Sequence, residues 1–333
     1  MAGLMTVKLG NMSVTPRFGE GHRVLVSGGA GFVPSHLVDL LVGRGCHVIA
    51  IDNFVTGTES NVAHLADNPL FTVVKADIAD GLPAEPALMG RFDAILHMAS
   101  PASPVDFGTL PVEILRVGSL ATFHLLDRAR QDGARFLLAS TSEAYGDPLV
   151  HPQPETYWGN VNPVGVRSVY DESKRFAEAA TMAYRRTYGV DTTIVRIFNT
   201  YGPRMRANDG RFIPTFISQA LRGEPVTVHG TGEQTRSICY VDDLVRGILL
   251  LLDSHEHGPI NCGTEFELSV LDLAKKIIAL SGSDSEIVLL PRTPDDPERR
   301  RPDLTLAKAK LGYEPSVGPD EGLRATIEYF RAL

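Results

Sequence analysis

From Arg23 to about Ile197 the chain alternates short β-branched runs with longer stretches of helical periodicity, a rhythm that few folds can accommodate. The runs are Val24–Val26, Val48–Ile51, Phe71–Val74, Ala94–Leu96, Phe136–Leu138 and Thr192–Ile197. Between them, Phe32–Arg44, about Thr109–Arg130 and Val169–Tyr188 read as helices. Strands separated by that much chain cross over and pair in parallel. The pattern predicts an α/β fold with a doubly wound parallel sheet, whose ligands bind beyond the carboxyl ends of the strands. After about Asn199 the rhythm changes to mixed helices and short strands with turns such as Gly202-Pro203 and His229-Gly-Thr-Gly232, the pattern of a smaller mixed α/β lobe. The Pro-rich stretches Pro148–Pro163 and Pro291–Pro302 read either as loose connectors or as walls facing a ligand.

Charge and cysteine usage narrow the ligands. A net charge of −8 argues against a nucleic-acid partner, and an anionic ligand must be held by local cations. No apolar run reaches bilayer length, so no membrane partner is expected. Cys46, Cys239 and Cys262 lack a Cys-x-x-Cys spacing, which indicates neither a disulfide framework nor a metal site and suits a reducing, cytoplasmic location. Residues 1–20 lack the basic start and apolar segment of a signal peptide and read as a loose N-terminal extension. His97, closing an apolar run, is expected to be a hydrogen-bonded strand-end residue.

Ser27-Gly-Gly-Ala-Gly-Phe-Val33 follows a strand and opens a helix, so backbone N–H groups at the helix start can bind a pyrophosphate. By itself the cluster also suits a plain tight turn. Asp52, ending the second strand, adds a carboxylate where a ribose 2′-hydroxyl would be read; it would repel a 2′-phosphate, which favours NAD over NADP. Pro34 stands where a third glycine is usual. Proline is tolerated in a first helical turn, and a slightly displaced helix is expected.

Tyr170-Asp-Glu-Ser-Lys174 puts a phenol and an ammonium on one helical face. Bringing a Tyr from about pH 10 to about 7 takes roughly 4 kcal/mol. A cation ~4–5 Å away at an effective dielectric of ~20 contributes roughly 3–4 kcal/mol. Tyr-x-x-x-Lys is also common as two solvated residues, so the pair needs company. Ser140–Glu143 and Asn199 supply it, since they follow strand ends on the same side of the sheet.

Taken together, these residues resemble the extended short-chain dehydrogenase/reductase family, and within it the UDP-glucuronic acid decarboxylases, or UDP-xylose synthases. The resemblance runs from about Arg23 to Leu333 and is carried by Leu138–Gly146, His151-Pro-Gln, Tyr157–Pro163, Tyr170–Arg175, Arg196–Arg204, Gln234-Thr-Arg236 and Asp295–Asp303. It implies a Rossmann-type NAD-binding domain over 21–198 and mainly a nucleotide-sugar-binding lobe over 199–333. It assigns NAD contacts to Gly28, Gly31, Phe32, Val33, Asp52, Asn53, Phe54, Thr56, Gly57, Asp77, Ile78, Met98, Tyr170 and Lys174.

The implied chemistry is oxidation at C4 of UDP-glucuronic acid, loss of CO2 from the resulting 4-keto acid, and re-reduction by the same cofactor. Tyr170 is then the acid/base, with Lys174 lowering its pKa; Thr141 stabilises the oxyanion, Glu143 relays a proton through water, and Arg300 lies at the reacting end. Asn199, Arg211, Arg236 and Arg300 are candidates for the diphosphate, and Val226-Thr-Val228 for the base. Without the resemblance, Arg299–Arg301 among acidic neighbours would read as a solvated loop. Gly118 and His124 stand where relatives usually have Asn. Gly118 is expected to remove a side chain near the site, to weaken its helix by about 1 kcal/mol, and to slow turnover. The resemblance also implies a homodimer through a helical bundle. An NDP-sugar 4-epimerase, a 4,6-dehydratase and a non-catalytic NAD- or sugar-nucleotide-binding protein are the competing readings.

Overall fold

The computed structural model describes residues 16–292 and 297–333. Most of the expected N-terminal extension, together with Asp295 and Asp296, lies outside the described residues. Within them, Arg17 and Phe18 belong to the body of the fold: Phe18 is buried, and Arg17 reaches Asp191 at 2.7 Å.

The strands β1 (Arg23–Ser27), β2 (His47–Asp52), β3 (Phe71–Lys75), β4 (Ala94–His97), β5 (Arg135–Thr141) and β6 (Thr192–Ile197) form one parallel sheet. A seventh strand, Pro259–Cys262, adds in parallel beside β6. Sequence reading misses it because the run Pro-Ile-Asn-Cys holds a single β-branched residue and opens with proline, which a strand tolerates only at its first residue or on an edge. Across the sheet the order is Pro259–Cys262, β6, β5, β4, β1, β2, β3. The chain therefore builds outward from β1 through β3 and then restarts at β4, opening a crevice where β1 and β4 part.

Strict alternation along β1 sends Val24 and Val26 to one face and Leu25 to the other. On the first face, helix α1 (Phe32–Gly43) and the helix Val241–Asp253 bring Leu37, Leu41, Leu244 and Ile248 onto the sheet. The second face is covered by α4 (Thr122–Asp132) and α5 (Ser168–Tyr188) through Leu125, Ala129, Ala177 and Ala180. All seven residues of β5 are buried, as a strand packed on both faces requires.

The single helix expected over about 109–130 is broken. Leu110, with extended φ, separates α2 (Pro104–Thr109) from α3 (Pro111–Arg116), and a π turn over Val117–Ala121 precedes α4. Pro111, at the start of α3, lacks the N–H group that would continue α2 and accounts for the first break. Gly118 lies within the second. A Cβ there would lie 2.6 Å from Ser173 Cβ on α5, so the glycine lets two backbones meet and does not, as expected, leave space beside the site. His124 donates to the Ile78 carbonyl at 3.0 Å and ties α4 to the loop after β3.

Beyond Asn199 the helices Phe212–Leu221, Val270–Ser281 and Pro319–Arg331 enclose a separate apolar core. Thr235–Ser237 lies between Glu267–Ser269 and Arg299–Arg300 in a small sheet whose register sets Arg300 beside Arg236.

Candidate active site

A cavity of about 470 Å³ runs from the glycine turn to Arg300. At one end, Gly28 has φ +71° and a Cβ there would lie 2.7 Å from the Ala99 Cα, so only glycine lets the turn sit on the end of β4. Gly31 is the N-cap of α1, and Ser35 N–H donates to Gly31 O at 3.1 Å; Pro34 occupies a first-turn position and the helix starts regularly. Close packing of the turn on β2 falls to Gly29, whose Cβ would meet Ala50 at 2.5 Å.

Asp52 is buried at the end of β2, where Ala30 N–H (3.0 Å) and Phe54 N–H (2.8 Å) donate to its two oxygens. Burial raises its carboxyl above the ordinary value, against those two hydrogen bonds. A glycine-only cradle and an oriented carboxylate on the same wall fit a dinucleotide with a free ribose 2′-hydroxyl. Gly31, Phe32, Val33, Asn53, Thr56, Gly57, Asp77, Ile78 and Met98 also line this end. Phe54 is not on the wall: its backbone orients Asp52 and its ring lies under Lys75.

Tyr170 and Lys174 project from the first turns of α5, both buried. Lys174 Nζ donates to the Ala139 carbonyl at 2.9 Å, and burial brings its ammonium down to about 8. Burial pushes the Tyr170 phenol up to about 12, against a hydrogen bond with Thr141. Desolvation therefore sets the phenol here, opposed by Thr141 and then Arg211, and the lowering expected from Lys174 is not seen in this arrangement. Phe107 of α2 stacks on Tyr170 at 5.1 Å and fixes the ring. Behind them, His97 Nε2 faces the Val117 carbonyl (3.3 Å), which can only accept, so Nε2 carries the proton and Nδ1 accepts from Ser27 (2.9 Å). Burial, then Lys174, brings this histidine down to about 3 and keeps it neutral.

Beside Tyr170 the structure gathers Glu143, Arg300 and an arginine that sequence reading missed, Arg167. Both terminal nitrogens of Arg300 donate to Glu143, one of them at 2.9 Å. Arg167 donates to Glu143 Oε2 at 2.7 Å and lies over the Phe107 ring. Burial alone would raise the Glu143 carboxyl; Arg300, and then Arg167, outweigh it and hold it at about 2. Glu143 is thus a fixed anion here, and a proton relay through it requires one guanidinium to move. The Arg299–Arg301 stretch is not a solvated loop, since Arg300 is 4% exposed. The signal for Arg167 was its place three residues before Tyr170, one helical turn away.

Asp171, next to Tyr170, is buried with Oδ1 lacking a partner among the described residues; burial and then Glu143 push its carboxyl up to about 7. At the far end Arg211 lies on Asp209 (Nη2–Oδ2 2.8 Å), a partner that the diphosphate reading did not anticipate. Arg236 donates to the Thr235 carbonyl at 2.8 Å, and Asn199 and Thr227 complete the wall.

The model of the NAD dependent epimerase/dehydratase family matches residues 24–263. UDP-glucuronic acid decarboxylase 4 of Arabidopsis thaliana is 50% identical over 309 residues, which is 93% of this chain and 68% of that protein. UDP-glucuronic acid decarboxylase 1 of Xenopus tropicalis is 48% identical over 93% of this chain and 72% of its own length. Among solved structures, UDP-glucose 4-epimerase of Thermotoga maritima with UDP-glucose has a TM-score of 0.85 at 33% identity, covering 93% of this chain and 99% of its own. UDP-glucuronic acid 4-epimerase of Bacillus cereus, in complex with UDP-glucuronic acid and NAD, has a TM-score of 0.85 at 27% identity with the same coverage. The family match runs from β1 through the seventh strand of the large sheet, and the relatives extend it across nine-tenths of the chain: the protein belongs to the NAD-dependent epimerase/dehydratase family, the extended short-chain dehydrogenase/reductases.

Proposed function

We propose that the protein converts UDP-glucuronic acid to UDP-xylose by decarboxylation. The observation that carries this reading is Glu143 held by Arg300 beside Tyr170, a carboxylate–guanidinium pair at the reacting end that hydride transfer at C4 alone does not require. Relatives named as UDP-glucuronic acid decarboxylases at about half identity support it. NAD, held by Gly28, Gly31 and Asp52, supplies the two-electron oxidation at C4 and its reversal.

The chain's own residues manage protons and charge. Tyr170 takes the proton of the C4 hydroxyl; its phenol is high in this arrangement, so the reaction needs positive charge close to it, which Lys174 supplies once it is drawn towards the ring. A ketone at C4 lies β to the C6 carboxylate, so the bond to CO2 breaks with its electron pair passing into a C4–C5 enolate. Tyr170 and Thr141 donate to that oxyanion, and the low-dielectric pocket strengthens both bonds. Arg300 and Arg167 attract the C6 carboxylate. A guanidinium drawn to it loosens its hold on Glu143, which then takes a proton from a water molecule, leaving hydroxide to be neutralised by solvent, and passes it to C5 of the enolate. Arg211 and Arg236 serve the diphosphate, with Asn199 donating.

The test is product analysis by mass spectrometry after incubation with UDP-glucuronic acid. Release of CO2 with formation of a pentose nucleotide is expected. An unchanged carbon count with inverted C4 would establish the epimerase reading, the activity of the similar 4-epimerases of Thermotoga maritima and Bacillus cereus.

A homodimer belongs to the same proposal. Leu120 and Phe123, in the π turn and α4, and Phe176 and Tyr188 of α5 expose apolar area along two adjacent helices, with Phe123 and Phe176 in edge contact at 5.6 Å. A second copy presenting the same two helices would close a four-helix bundle over them.

A further inference from the structure

We infer that Gln153 is the positioning residue for Arg300. Gln153 does not line the cavity and is fully buried in the Pro-rich loop between β5 and α5. Every polar group it owns is used. Its backbone N–H donates to the Arg301 carbonyl (2.9 Å) and its carbonyl accepts from Asp303 N–H (2.9 Å). Its side-chain oxygen accepts from Arg301 N–H (2.9 Å), while its amide donates to the Val150 carbonyl (2.8 Å). Arg301 thus has both backbone groups satisfied by one glutamine.

The brace has a second layer. Asn261 Nδ2 donates to the Gln153 carbonyl (2.9 Å) and the Asp303 carbonyl (3.1 Å), and its Oδ1 accepts from Tyr145 (2.8 Å). On its other edge the Arg299–Arg300 strand pairs with Thr235–Arg236. Arg300 therefore sits on a backbone clamped from both sides, and its guanidinium meets Glu143 from a chain position 157 residues away.

That clamp matters because Arg is long, and a buried ion pair returns its desolvation cost only when its geometry is held. A displacement of about 1 Å at a reacting centre can lower a rate about 10²-fold. Gln153 acts through the backbone of residue 301, and the role assigned to Arg300 rests on the decarboxylase reading.

Gln153→Met keeps the volume and removes the amide; Gln153→Glu keeps the acceptor for Arg301 N–H, and donates to the Val150 carbonyl only while its carboxyl is protonated. Steady-state kinetics with UDP-glucuronic acid should show kcat falling about 10²-fold in Gln153→Met with little change in KM. In an Arg300→Lys background the same change should cost almost nothing further. Gln153→Glu, whose carboxyl would face the Val150 carbonyl and His151 Nδ1 (3.4 Å from the Gln153 amide), should approach wild-type kcat at the acid end of the profile and lose it as pH rises, because burial raises a carboxyl into the working range. Unchanged kcat in Gln153→Met, or equal losses in both backgrounds, overturns the inference. So does a constant deficit in Gln153→Glu across pH.

A readout without turnover separates this from the decarboxylase reading. The Arg300 Nε–H is buried with no acceptor among the described residues, and its ¹⁵N signal, assigned by its absence in Arg300→Lys, should be sharp in the wild type and broadened in Gln153→Met. An enzyme releasing no CO2 sinks the decarboxylase reading, and that signal then decides the positioning role on its own. An identical signal in the variant overturns it.

Discussion

Tyr170 sits among groups that pull its phenol in opposite directions, and its hydroxyl is what the chemistry requires. Tyr170→Phe should lower kcat by about 10²–10⁴-fold, the usual worth of a general acid or base, while NAD still binds, as read by NADH fluorescence. Glu143 has a separate signature in stability. Its folded carboxyl, held by Arg300 and Arg167 at about 2, lies below the ordinary 4.5, so its contribution is present above about pH 4.5 and is lost as pH falls towards 2. Glu143→Gln removes the anion from the buried guanidinium of Arg300 and from the half-buried one of Arg167 and should destabilise the fold by about 3–5 kcal/mol at pH 7. Thermal melts of variant and wild type should converge as pH drops through that window.

Asp171 runs the other way: raised to about 7, it costs stability as pH rises from about 4 through 7. Asp171→Asn should raise the melting temperature at pH 8 and change it little at pH 4. Tyr170 and Lys174 were legible at motif spacing and Glu143 from its place after a strand end, whereas Arg300 was legible only through the family resemblance. Arg167 and Phe107 were not, because an arginine before a helix and a phenylalanine in a short helix are ordinary until the fold stacks them on the site.

The segment from α2 to α4 shows how far periodicity carries an element. Its apolar repeat predicted one helix, and the repeat was sound over Thr122–Asp132, where Leu125, Leu126 and Ala129 face the sheet. What periodicity does not register is a π turn, which shifts the helical phase without a special residue, or the closeness of a neighbouring helix. Gly118 depends on that closeness. Its loss of about 1 kcal/mol in propensity is offset by an approach that no side chain permits. Gly118→Ala should destabilise by about 1–3 kcal/mol in thermal denaturation, since the new methyl meets Ser173 Cβ at 2.6 Å and its carbonyl oxygen at 3.0 Å. An alanine that stabilises the protein would show that α5 yields freely.

Across the assembled chain, the parts that meet at the site come from opposite ends of the sequence: the glycine turn, the ends of β5 and β6, the start of α5, and the small sheet bearing Arg236 and Arg300. The proposed helical interface predicts that Phe176→Asp converts a dimer to a monomer by sedimentation, because a charge would replace the apolar ring at its centre. Local chemistry determined the parallel sheet, the cofactor turn and the Tyr170–Lys174 face, since each depends on residues within one or two elements whose spacing is set by helix and strand geometry. Long-range packing decided the seventh strand, the two arginines on Glu143 and the brace of Gln153 on the Arg300 strand. Those contacts join residues far apart in the chain, and the desolvation that sets their charge states exists only once the core has closed around them.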